Sequence, residues 1–188
     1  MRAARAWRSS ARLWCGNLDV TAKWHYIECQ MESTELTGDV ERFRDFLTKG
    51  SPGPHAYTVL LGLKSFDMPS VLKAIEQGFP WKAFERFVEN IGLPAEQVGV
   101  MIGIPKRTLA RRKVEKRFQP DESDRLLRAA RVFARTLKLF DGDREAATEW
   151  LTTEEIALNA APMDLVQTDV GAREVERIIG ALEHGVIL

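Results

Sequence analysis

From about Val40 to the C-terminus, apolar residues recur at the helical period, and glycine or proline breaks separate the runs. Val40, Phe43, Phe46 and Leu47 make one such stripe, ended by the turn-rich KGSPGPH. PSVLKAIEQG reads as a helix closed by Gly78. PWKAFERFVENIG reads as the next, with Pro80 in its first turn and its end at Gly92. PDESDRLLRAARVFARTLKLFDGD reads as one helix of about twenty residues, with Leu126, Ala129, Ala130, Phe133, Leu137 and Phe140 along one side. Asp121 is its expected N-cap and Gly142 its stop. DREAATEWLT is a shorter helix, and Thr152 and Glu155 have capping-box spacing beyond it. APMDLV reads as a short proline-initiated turn of helix. VGAREVERIIGALEHG is amphipathic, with Val175, Ile178, Ile179 and Leu182 apolar. One run, YTVLLGLKSF, admits either strand or buried helix, and we expect a short extended or irregular piece.

At 188 residues the chain has room for one or two small domains. No run of 18 apolar residues occurs, so no membrane partner is expected. The first 30 residues differ from the rest. They hold Trp7, Trp14 and Trp24 and both cysteines, Cys15 and Cys29, with no clean period. Their arginine-rich start lacks the continuous apolar segment of a secretory signal. Met31 opens a more ordinary stretch, so residues 1–30 are either a basic arm or an extension that the native start at Met31 excludes. With no cysteine after Cys29, the chain fits a reducing, cytoplasmic setting.

The net charge is zero, with 27 basic and 27 acidic residues, but the charges are segregated. Residues 94–118 carry seven basic and two acidic side chains, whereas residues 119–188 carry eight and fourteen. A basic block followed by an acidic one suggests two surfaces with different partners. The basic block, IPKRTLARRKVEKRF, by itself reads more readily as a solvated helix face than as a surface for an anionic ligand. Its upstream context favours the ligand. In LPAEQVGVMIGIPKRTLARRK, Val98 and Ile102 point inward from a short helix and Gly99 is small where a second helix must cross. Gly103 permits a tight turn, Ile104 plugs the corner, Pro105 starts the second helix and Leu109 anchors it. That is helix-turn-helix spacing over residues 95–115. Lys106, Arg107 and Arg111 are then the candidates to reach bases or nearby phosphates of double-stranded DNA, and Thr108 could contact phosphate. Arg112, Lys113, Lys116 and Arg117 would add backbone attraction. Arg112 stands where many such motifs carry an aliphatic residue, so the second helix is either less deeply seated or has Arg112 along its edge. Paired half-sites imply a homodimer.

Catalytic signals are missing. His25, His55 and His184 are scattered with no metal-ligand spacing, and no P-loop, GxGxxG or GxSxG occurs. Asp164 and Asp169 read as helix caps. Neither an enzyme nor a metal or other cofactor is expected.

RTLARR, ESDRLLRAARVFA, A…EWL, APMDLVQTDVGAREV and LEHGV follow one another in order. Together they resemble the Xre-type antitoxins of RES–Xre toxin–antitoxin pairs, the group sharing the MbcA/ParS/Xre toxin-binding domain. The resemblance covers roughly residues 60–188, is looser over 31–60 and is missing from 1–30. TEEIALNA departs from the family's usual stretch, and so does the Ile-Leu terminus; both bear on which toxin is recognised. The resemblance implies an all-α protein: a helical Xre-like domain, 31–118, and a small helical toxin-binding domain, 119–188. It also implies an antitoxin that represses its own operon and silences a RES-domain toxin, an enzyme that degrades NAD. Carried over from the family, the toxin-facing residues are Glu183, His184, Gly185, Val186, Ile187 and Leu188. Without the resemblance, Val186-Ile187-Leu188 reads as a last strand or as a hydrophobic plug in the chain's own core. The alternative to an antitoxin is a stand-alone helix-turn-helix regulator.

Overall fold

Caps and breakers bound each helix, and the apolar stripes then decide which faces meet. The computed structural model describes residues 38–64 and 66–185. Helix α1 covers residues 38–49. A 3-10 helix, Ala56–Leu61, is followed by α2 (Met68–Gln77), α3 (Trp81–Ile91), α4 (Ala95–Met101) and α5 (Lys106–Glu115). Then come α6 (Pro120–Leu139), α7 (Arg144–Thr152), α8 (Pro162–Leu165) and α9 (Asp169–Glu183). The chain is all-α, with no named strand among the described residues. The expected N-terminal extension and the tail Val186–Leu188 lie outside the described residues.

Helix α6 is the axis of the core and packs against α2, α3, α7, α9 and the 3-10 helix. Its alanines explain how so many elements reach one helix. Ala129, Ala130 and Ala134 are buried and let neighbours approach, while Leu126, Phe133 and Leu137 fill the space between them. Phe133 meets Phe87 of α3 edge to face, with ring centroids 6.0 Å apart. The described residues form one compact unit around this helix. Helix α1 is held by polar contacts at its start and its middle. Arg44 Nε donates to Gly142 O at 2.7 Å, and Arg86 of α3 lies 3.3 Å from Asp39. Val40 and Phe43 are buried as their spacing requires, while Leu47 stays exposed.

Four local expectations are corrected. YTVLLGLKSF contains a 3-10 helix rather than an extended piece. Val59, Leu60 and Leu61 are buried on every side, so the backbone is satisfied by its own turn and by Asn90 Nδ2, which donates to Leu60 O at 2.9 Å. The N-cap of α6 is Gln119, not Asp121: Pro120 takes the first helical position, and Gln119 and Glu122 form a reciprocal capping box. Thr152 starts no helix. It ends α7, donating its hydroxyl to Thr148 O, while Glu155 joins a turn closed against Ala160 and accepts from Trp150 Nε1. Asp169 lies one residue inside α9, whose cap is Thr168, accepting from the Gly171 amide at 3.0 Å.

The exit from α5 is tied back to the entrance of α3. Phe118 N–H donates to Phe79 O at 2.8 Å, and Trp81 N–H to Lys116 O at 2.9 Å. Phe118 stacks on Trp81, with centroids 5.5 Å apart. Gly78 makes this closure possible. Its φ is +77°, and a Cβ there would lie 2.1 Å from Phe118 O.

Candidate nucleic-acid interface and C-terminal helix

Helices α4 and α5 meet as the glycine spacing requires. Val98 and Ile102 are fully buried, and a Cβ on Gly99 would stand 2.5 Å from Leu109 Cδ1. Gly103 turns the chain with φ +63°, a conformation that costs other residues about 1–2 kcal/mol. Ile104 N–H donates to Gly99 O at 2.9 Å and its side chain is buried in the corner. Arg125 of α6 donates to Gly103 O at 2.8 Å, locking the turn to the axis helix. Pro105 is the N-cap of α5 rather than its first residue.

The cations of α5 divide by direction. Lys106, Arg107, Arg111 and Lys113 are exposed, and Thr108 is half-buried. Lys106 Nζ lies 2.5 Å from Glu96 of α4, and this hydrogen bond raises the lysine above its ordinary value while it lowers the glutamate. Arg111 is a loose 3.9 Å from Glu115. Lys116 is exposed at the left-handed end of α5. Arg117 instead donates to Gln77 O and Gly78 O at 2.9 and 2.8 Å, closing the C-terminus of α2.

Arg112 is the exception. It is buried, with Nε 2.6 Å from the equally buried Glu122 and Nη1 on Glu115. Its hydrogen bond to Glu122, above all, holds the guanidinium above its ordinary pKa. Glu122 also accepts the Gln119 amide at 2.8 Å. The expected phosphate contact by Arg112 is therefore corrected: the side chain occupies the inward, normally aliphatic position and is engaged with α6. Position 112 was the visible anomaly in the sequence, but its partner lies beyond the break between two helices.

Helix α9 lies along α6. Ala172, Val175, Ile178 and Ile179 are fully buried, whereas Leu182 is largely exposed. A row of ion pairs flanks that seam. Arg128 reaches Asp169 at 3.9 Å, Arg131 and Arg135 reach Glu176 at 2.7 and 3.4 Å, and Lys138 reaches Glu183 at 3.2 Å. The acids recur every seven residues, about two helical turns, which puts them on one face. That spacing was legible; which helix it faced was not. Glu183 is thus held by its own chain, while His184 and Gly185 at the end of α9 are exposed.

Two family models match the chain. The antitoxin Xre-like helix-turn-helix domain matches residues 70–131, and the antitoxin Xre/MbcA/ParS C-terminal toxin-binding domain matches residues 136–185. A protein named Antitoxin Xre from Yersinia enterocolitica is 34% identical over 128 residues, 67% of this chain and 86% of that protein. The chain belongs to the Xre antitoxin family. A second Antitoxin Xre, from Photorhabdus laumondii, is 28% identical over 129 residues, 68% of this chain and 87% of its own length. In this Xre-family chain the helix-turn-helix segment runs from α2 into α6, and the toxin-binding segment runs from the end of α6 to Gly185. Helix α6 is common to both. Among the described residues no helix is long and apolar enough to cross a membrane, and no three His, Cys, Asp or Glu side chains are grouped to hold a metal ion.

Proposed function

We propose that this chain is a cytoplasmic antitoxin that binds the operator of its own operon as a homodimer. Through its C-terminal region it binds and silences a RES-domain toxin that degrades NAD. It has no catalytic activity of its own. The observation that carries the reading is the pairing of two features. One is a glycine-seated helix-turn-helix that turns Lys106, Arg107, Arg111 and Lys113 outward; the other is a match to a toxin-binding domain over residues 136–185. Arg107 and Arg111 are the base-reading candidates, because a guanidinium can pair with guanine through two hydrogen bonds. Lys106, Thr108 and Lys113 hold phosphates.

Changing Lys106, Arg107 and Arg111 together to alanine should weaken binding to the chain's own promoter by about 100-fold or more. It should also flatten the dependence of affinity on salt. A gel shift of the full chain at two salt concentrations measures both, and equal binding by wild type and triple variant would remove α5 from the DNA interface.

The toxin half of the reading is tested by co-expression with the neighbouring gene product. The two proteins should co-purify, and the antitoxin should restore growth to cells making the toxin. Removing residues 185–188 should release toxicity while operator binding stays intact. Undiminished protection would place the inhibitory contact elsewhere. A chain that binds operator DNA but retains no partner would be a stand-alone regulator.

A further inference from the structure

Helix α5 carries two exposed apolar residues that charge alone does not explain. At about 100° per residue, Leu109 and Arg112 lie within about 60° of each other and face inward, where both are buried. The opposite arc, about 100° wide, holds Arg107, Ala110, Arg111 and Val114, all exposed. Val114 is 81% exposed, more than any other large apolar residue of α2 to α6. It adds nothing to the core, and its β-branch is unfavourable to the helix that carries it.

We propose that Ala110 and Val114 read thymine methyl groups in the operator's major groove, flanked by Arg107 and Arg111. The inference rests on the DNA-binding reading above and names which base feature α5 recognises beyond charge. The methyl on C5 of thymine is the one apolar group that a base pair presents in that groove, and small aliphatic side chains are its complement. Charge decides between DNA and a second copy of the chain as the occupant. A two-fold contact through this stripe would crowd Arg107 and Arg111 of both copies into one interface with no acid of the stripe to offset them, whereas a groove walled by phosphates accepts the cations and the methyls together.

The test uses the full chain and the DNA upstream of its own gene, amplified once with deoxythymidine and once with deoxyuridine, which lacks only the methyl. Wild type should bind the uracil DNA about 4-fold more weakly for each thymine methyl that α5 touches. Val114→Ala, an exposed change that leaves the core intact, should lose about 4-fold on thymine DNA and much less on uracil DNA. Arg107→Ala should weaken binding to both DNAs equally. Wild-type affinity that ignores the methyl, or a Val114→Ala loss of the same size on both DNAs, would overturn the inference while leaving the DNA-binding reading standing. No binding to thymine DNA at all would remove both. A Val114→Ala variant that binds both DNAs normally but shifts the oligomeric state on gel filtration would assign the stripe to a second copy instead.

Discussion

Arg112→Met should lower the unfolding free energy by about 3–5 kcal/mol, a large part of the stability of a domain this size. The variant keeps the volume of the stem but leaves Glu122 charged beneath α5, with only the Gln119 amide to compensate it. Adding Glu122→Leu should restore much of the loss, because a well-packed apolar pair avoids the desolvation cost that the ion pair carries. Urea denaturation of the two singles and the double measures the coupling directly. A loss below about 1 kcal/mol in Arg112→Met would mean that the pair behaves as a solvated surface bridge. The functional consequence is orientation. Arg112 joins the helix that carries Arg107 and Arg111 to the capping box of α6, so the same variant should weaken operator binding even under conditions where it is fully folded.

Phe133→Ala should cost about 3–5 kcal/mol as well, through the cavity left in the middle of α6. Phe133 is fully buried and meets Phe87 edge to face, so the ring that is removed fills space shared between α6 and α3. The melt should shift downward but stay a single transition, coincident by circular dichroism and by tryptophan fluorescence. Two separated transitions would mean that the segments matched by the two family models fold independently despite sharing α6.

How much of this was legible depended on how local each cause is. The helices were readable because their apolar period, caps and breakers act within a few residues. The helix-turn-helix was readable for the same reason: Gly99, Gly103, Ile104 and Leu109 meet within eleven positions of one another. Errors gathered where a local signal had two solutions. Asp121 and Gln119 are both competent caps, and the choice fell to Gln119 because Pro120 suits the first helical position and Glu122 can answer a cap three residues before it. YTVLLGLKSF had no period to read, and its burial by α3 and α6 chose the 3-10 turn.

The sequence by itself determined the all-α class, the helix-turn-helix and the basic block, which rest on residue types at short spacing, and the family resemblance, which rests on the order of several motifs along the chain. Only the tertiary structure decided which cations of the basic block face outward. Arg112 and Arg111 are neighbours of the same chemistry, yet one is buried on Glu122 and the other is exposed. A helix turns about 100° between them, and what waits on each side is set by α6, a separate helix of the chain. The same rotation leaves Val114 in solvent and Leu109 in the core, although composition treats both as apolar. Direction relative to a packed neighbour is a property of the assembled fold, and that is why the charge count could find this surface but not say which of its residues belong to it.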